Sequence, residues 1–127
     1  MQANNIFESF RFAFAGLWYA LRTQRNARLH IVIASVAIAL GLWVRFTAIE
    51  WAILALTIGS VLVSELINTV AETLVDMISP NYHPLAKVVK DVTAGAVLLA
   101  AIVSTVVGLM LLAPPVWEQL SELVLCR

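Results

Sequence analysis

Four polar residues, Glu65, Asn68, Glu72 and Asp76, interrupt one apolar run at intervals of three, four and four. At about 100° per residue a helix confines them to a stripe about 80° wide, so that a single face carries three carboxylates and an amide. A carboxylate can take a proton from a hydroxyl, and it can supply the oxygen ligands that magnesium demands. Taken singly, each charge also fits an interhelical ion pair or a charge at a lipid interface. Four in register on one face ask for a shared purpose, because a charge inside a bilayer is expensive unless it is paired, hydrated or protonated.

Lys90 and Asp91 follow after a turn, Ser79-Pro80-Asn81-Tyr82-His83-Pro84, and at the start of the next apolar run. They can converge on the wet end of the stripe, where a lysine beside carboxylates suits phosphate oxygens and a magnesium ion. The plain alternative for Lys90 is a snorkelling anchor. His83 reads as a turn residue rather than a metal ligand, since its only companion, His30, begins a different helix.

The rest of the chain must place these groups. Its 127 residues are 61% hydrophobic and 13% charged, well away from the soluble balance of about 45–50% and 25%. This is the composition of an integral membrane protein, here a single membrane domain over 1–127. A net charge of zero gives no reason to expect a nucleic-acid partner. The single cysteine, Cys126, makes neither an intrachain disulfide nor a zinc cage. No cleaved signal is read in the first thirty residues. The chain has no GxGxxG, HExxH or CxxC motif, so any chemistry has to be built from the membrane helices.

The expected architecture is all-α. Residues 5–22 make an amphipathic surface helix, with Ile6, Phe7, Phe10, Phe14, Leu17, Trp18 and Leu21 on about one third of the wheel. Packing of that stripe as ordinary core is the alternative. Three transmembrane helices follow, over about 29–45, 51–77 and 86–112. Two prolines punctuate the turn before the third span. Pro114-Pro115 is expected to end that span, leaving 113–127 as a short tail anchored by Trp117.

Lysine and arginine number four before the first span, one in the first loop, two in the second and one in the tail. The positive-inside rule then puts the N-terminus and the second loop in the cytoplasm, in a multi-pass protein of the inner, cytoplasmic membrane. Counted from Trp51 at 1.5 Å per residue, Glu65 lies about 21 Å along the second span, and Glu72 reaches the cytoplasmic edge of a roughly 30 Å apolar layer. The stripe climbs from lipid into water.

The residues Glu65-Leu-Ile-Asn68-Thr-Val-Ala-Glu72-Thr-Leu-Val-Asp76, with Ser79-Pro-Asn-Tyr-His-Pro-Leu-Ala-Lys87-Val-Val-Lys90-Asp91, closely resemble the prokaryotic diacylglycerol kinase and undecaprenol kinase family. The segments Arg25-Asn26-Ala27-Arg28-Leu29-His30 and Pro84-Leu85-Ala86-Lys87 look more like the undecaprenol kinase branch. The resemblance implies a homotrimer with active sites shared between neighbours at the cytoplasmic interface. It also implies that ATP and magnesium are used on the hydroxyl of diacylglycerol or undecaprenol. Under it Glu65 is the general base and Glu72 a magnesium ligand. Asn68, Lys90 and Asp91, with Asn81, Tyr82 and His83, contact the nucleotide. One departure stands out: where the family usually has a second metal-binding glutamate, this chain has Gln24.

Another class of function competes. A small oligomeric proton-coupled transporter also needs one intramembrane carboxylate, Glu65, although it gives no reason for Glu72, Lys90 and Asp91 to gather beside the loop. A non-catalytic subunit whose charges fix helix register is the third reading.

Overall fold

The computed structural model describes residues 5–125 and consists there of four helices, with no strand among the described residues. They are α1 (Ile6–Thr23), α2 (Arg25–Trp43), α3 (Ala48–Ile78) and α4 (Pro84–Leu125). Helices α2, α3 and α4 are long and apolar enough to cross a membrane. Cys126 lies outside the described residues.

α1 begins where the Asn5 side chain accepts the Glu8 N–H at 2.9 Å, capping a donor the helix cannot satisfy. Its aromatic stripe is exposed, with Phe7 at 81% and Trp18 at 66%. A single residue, Gln24, then leaves helical geometry (φ −95°, ψ 120°) and α2 starts at once. The first span therefore takes Arg25, Arg28 and His30 into its own first turns.

Between α2 and α3 the chain reverses in four residues. The Phe46 N–H donates to the Gly41 carbonyl at 2.9 Å and the Arg45 N–H to that of Leu42 at 3.3 Å, with Arg45 in the left-handed region at φ 59°. This is the paired closure that ends many helices, with arginine where glycine is usual. The Phe46 ring lies so close over Gly41 that a Cβ there would meet it at 2.9 Å. Phe46 in turn packs edge-on against Trp51, centroids 5.7 Å apart. Thr47 and Glu50 cap α3 reciprocally.

α3 and α4 form the most extensive helix pair, α4 returning along α3 after the 79–83 turn, and Ser104 Oγ donates across it to the Thr57 carbonyl at 3.4 Å. The apolar side chains of α4 face outward almost throughout, Val97 being its one buried residue among those described. What is buried includes Ala20, Ala27, Leu54 and Val61, and with them Glu65, Asn68 and Thr69. Polar groups inside and apolar groups outside is the arrangement a bilayer rewards.

The expected stop at Pro114-Pro115 is not there: α4 runs through both prolines to Leu125, 42 residues in all. Proline fixes φ near the helical value, and what it lacks is an N–H donor. The Met110 and Leu111 carbonyls lose their partners, while the pair serves as the first turn of the segment beyond, where proline is tolerated. At 1.5 Å per residue α4 is about 63 Å long, roughly twice the apolar thickness of a membrane.

Candidate functional site

The stripe on α3 faces inward, and its burial falls off in the order the spacing implies. Glu65 is 2% exposed and Asn68 7%, Glu72 is half-buried, and Asp76 is exposed. Small residues make this possible: Ala20 on α1 and Ala27 on α2 are both buried, letting those helices approach α3 closely.

Glu65 is the innermost member. Its Oε2 is buried with no hydrogen-bond partner. Burial dominates the surroundings of its carboxyl; His30 of α2 and Glu72 on its own helix act on it through space, and the Ala27 backbone of α2 lies near. The helix beneath is held by Thr69, whose Oγ1 donates to the Glu65 carbonyl at 2.9 Å. A carboxylate with a free, shielded lone pair is equipped to accept a proton from a hydroxyl brought against it.

Two turns along, Glu72 is clamped. Asn68 Nδ2 donates to its Oε1 at 3.0 Å, and Gln24 Nε2 donates to its Oε2 at 3.1 Å. The break between α1 and α2 explains the second bond: the one residue outside helical geometry is the one whose side chain crosses to α3. The Asn68 Oδ1 is buried and unpartnered. These oxygens, a carboxylate and two amide carbonyls, are the hard donors that suit magnesium. Among the described residues no three His, Cys, Asp or Glu side chains group to hold a metal by themselves.

A second cluster lies one turn further out. Lys90 pairs with Asp76, bridging α4 to the end of the stripe, and Asp91 pairs with Lys87 on its own helix. Neither Lys90 nor Asp91 bonds Glu65 or Glu72 among the described residues. Asn81, Tyr82 and His83 are exposed in the turn above. The His83 Nδ1 accepts the Leu85 N–H at 3.2 Å and its carbonyl the Lys87 N–H at 3.1 Å, so His83 starts α4.

Two cavities are lined by α3 residues near Glu65 in sequence, neither by Glu65 itself. One of about 420 Å³ runs between α2, α3 and α4 past His30, Val61 and Leu62, and another of about 620 Å³ separates α1 from α3 at Leu66 and Thr69. Both are almost wholly apolar and open toward the surroundings of the bundle.

The profile of the family described as prokaryotic diacylglycerol kinase matches residues 11–112, which include every residue of both clusters. The chain belongs to the prokaryotic diacylglycerol kinase family. It is 47% identical over 114 residues to a diacylglycerol kinase of Synechocystis sp., a match covering 89% of this chain and 65% of that protein. To an undecaprenol kinase of Bacillus subtilis it is 41% identical over 113 residues, covering 89% and 92%. A diacylglycerol kinase of Escherichia coli is 29% identical over 107 residues, covering 84% and 88%. Membership in a family of lipid kinases takes the side of the kinase against the proton-coupled transporter. The part of α4 beyond residue 112 lies outside the family match.

Sequence spacing anticipates the stripe, the resemblance implies that Gln24 belongs beside Glu72, and neither anticipates which residues of α2 come alongside Glu65. Ala27 and His30 of α2 come near enough to act on the Glu65 carboxyl, while Lys90 meets the wet end of the stripe at Asp76, as expected. Spacing along one helix carries no signal for which residue of another comes alongside.

Proposed function

We propose that this protein transfers the γ-phosphate of ATP to the hydroxyl of a membrane lipid alcohol, diacylglycerol or undecaprenol. The observation that carries the reading is the buried Glu65 carboxyl with an unpartnered oxygen, on a helix that also lines two apolar cavities, and two turns below the clamped Glu72. A lipid whose chain lies in apolar surroundings can bring its hydroxyl to Glu65 without moving its tail into water.

In the transfer the lipid hydroxyl oxygen bonds to the γ-phosphorus, the bond from that phosphorus to the β,γ-bridging oxygen breaks, and ADP leaves. Glu65 accepts the hydroxyl proton. Asn68 positions the phosphate end of the nucleotide, and Lys90 places a charge toward it from the outer cluster. Asp91, Asn81, Tyr82 and His83 line the approach of the base and sugar. Glu72, with Gln24 and Asn68, would hold magnesium, which neutralises developing phosphate charge when bound. Phosphoryl transfer asks the protein mainly for positioning and charge stabilisation, and this arrangement supports both.

The working unit is a homotrimer with sites shared between neighbouring subunits, in the cytoplasmic membrane, with the N-terminus and the 79–83 turn in the cytoplasm. Purified protein in lipid, given labelled ATP with each lipid alcohol in turn, tests the activity. Label in a phospholipid product is expected with at least one of them. Its absence with both, from protein that binds nucleotide, contradicts the proposal.

A further inference from the structure

We infer that Gln24 makes the Glu72 seat unable to retain a divalent cation alone, so that the ion binds only together with the phosphates of a nucleotide; this rests on the lipid-kinase reading above. The charge count at the seat is low. Glu72 is the one carboxylate in the Gln24, Asn68 and Glu72 cluster, and both its oxygens already accept amide N–H groups, at 3.0 and 3.1 Å. The neighbouring carboxylates are committed or set apart: Asp76 is paired with Lys90, Asp91 with Lys87, and Glu65 lies two turns deeper on α3.

A bare dication arriving there has to displace two hydrogen bonds and gains a single negative charge. Magnesium sheds water reluctantly and is usually held by one or two carboxylates plus substrate phosphates. A side-chain amide carries its N–H and its carbonyl oxygen at opposite corners of one plane, so half a turn of Gln24 or Asn68 exchanges a donor for an acceptor. The buried Asn68 Oδ1 has no partner to lose. Both amides therefore close on Glu72 when no ion is present, and both can turn when an ion arrives with charge of its own. The cation and the nucleotide are thus thermodynamically coupled, each tightening the other by the same factor. Gln24 sets the dependence on nucleotide in this scheme: it closes on Glu72 without the ion and turns a neutral carbonyl oxygen, in place of a second carboxylate, to the ion that arrives with phosphate.

Equilibrium dialysis against manganese tests this on the full-length protein in phosphatidylcholine nanodiscs, with empty discs as blank. It is run with and without an ATP analogue whose β,γ-bridge cannot be cleaved. For the unaltered protein, manganese retention is expected to tighten at least about tenfold when the analogue is present. Gln24→Glu is expected to bind manganese at least about tenfold more tightly than the unaltered protein in the absence of the analogue, shrinking the dependence on nucleotide. Equal manganese affinity with and without the analogue, in protein that binds the analogue, overturns the inference while leaving the kinase reading standing. Unchanged manganese affinity in Gln24→Glu, with native α-helical content, overturns the role of Gln24. Protein that binds no analogue under any condition overturns the kinase reading and this inference together.

Discussion

At the scale of single residues, the outer cluster offers the sharpest discrimination. Lys90 bonds Asp76, with the Lys90 side chain 39% and the Asp76 side chain 68% exposed, and an exposed pair of that kind adds little stability. If Lys90 serves phosphate instead, Lys90→Ala raises the KM for ATP by about tenfold, the worth of a charge-assisted hydrogen bond. Asp76→Asn, which frees the lysine, leaves the KM unchanged or lowers it. Equal increases in both variants, read from initial rates, would mean that the pair is structural. The roles of these residues were legible only in part. Intervals of three and four place Glu65, Asn68, Glu72 and Asp76 on one face, because helix geometry fixes neighbours along a helix. They do not show that His30 acts on Glu65 from α2, because that depends on how α2 lies against α3.

At the scale of elements, the α2–α3 reversal rests on a glycine with an aromatic ring against it. Gly41→Leu forces the Phe46 and Trp51 rings apart and is expected to destabilise the protein by about 1–3 kcal/mol, measured by SDS titration in mixed micelles. No loss of stability would mean that the rings move freely. The far end of α4 gives the opposite expectation. Residues 117–125 of α4 lie outside the family match, so a chain ending at Val116 should keep lipid phosphorylation within a factor of about two. A large loss would tie that extension to the site. The four helices were readable from apolar periodicity and turn residues, with ends shifted by up to four residues everywhere but at the end of α4, which runs on to Leu125 instead of about 112. The continuation through Pro114 and Pro115 was not. A proline pair reads locally as a stop, and only the geometry of the following turn shows that it opens the next stretch of helix.

At the scale of the whole molecule, the proposed orientation is testable: with three crossing helices the start of α1 and the end of α4 fall on opposite sides of the membrane, and the positive-inside rule predicts that the α4 end faces outward. Cys126, the only cysteine, reports on this directly. A membrane-impermeant maleimide should label it in right-side-out vesicles and fail to do so in inverted ones. The reverse pattern would put the Glu72 and Lys90 clusters on the side without ATP. The molecule as a whole is graded, buried at Glu65, half-buried and polar at Glu72 and charged at Lys90, and under the proposal a lipid hydroxyl and a water-soluble phosphate donor meet along it. The direct test of that path is phosphate transfer from labelled ATP to the lipid alcohol by Glu65→Gln, with nucleotide binding measured on the same sample. Loss of a proton acceptor at this position predicts a fall in kcat of about 10²–10⁴-fold with nucleotide affinity retained. Transfer at the unaltered rate would contradict the account at its centre.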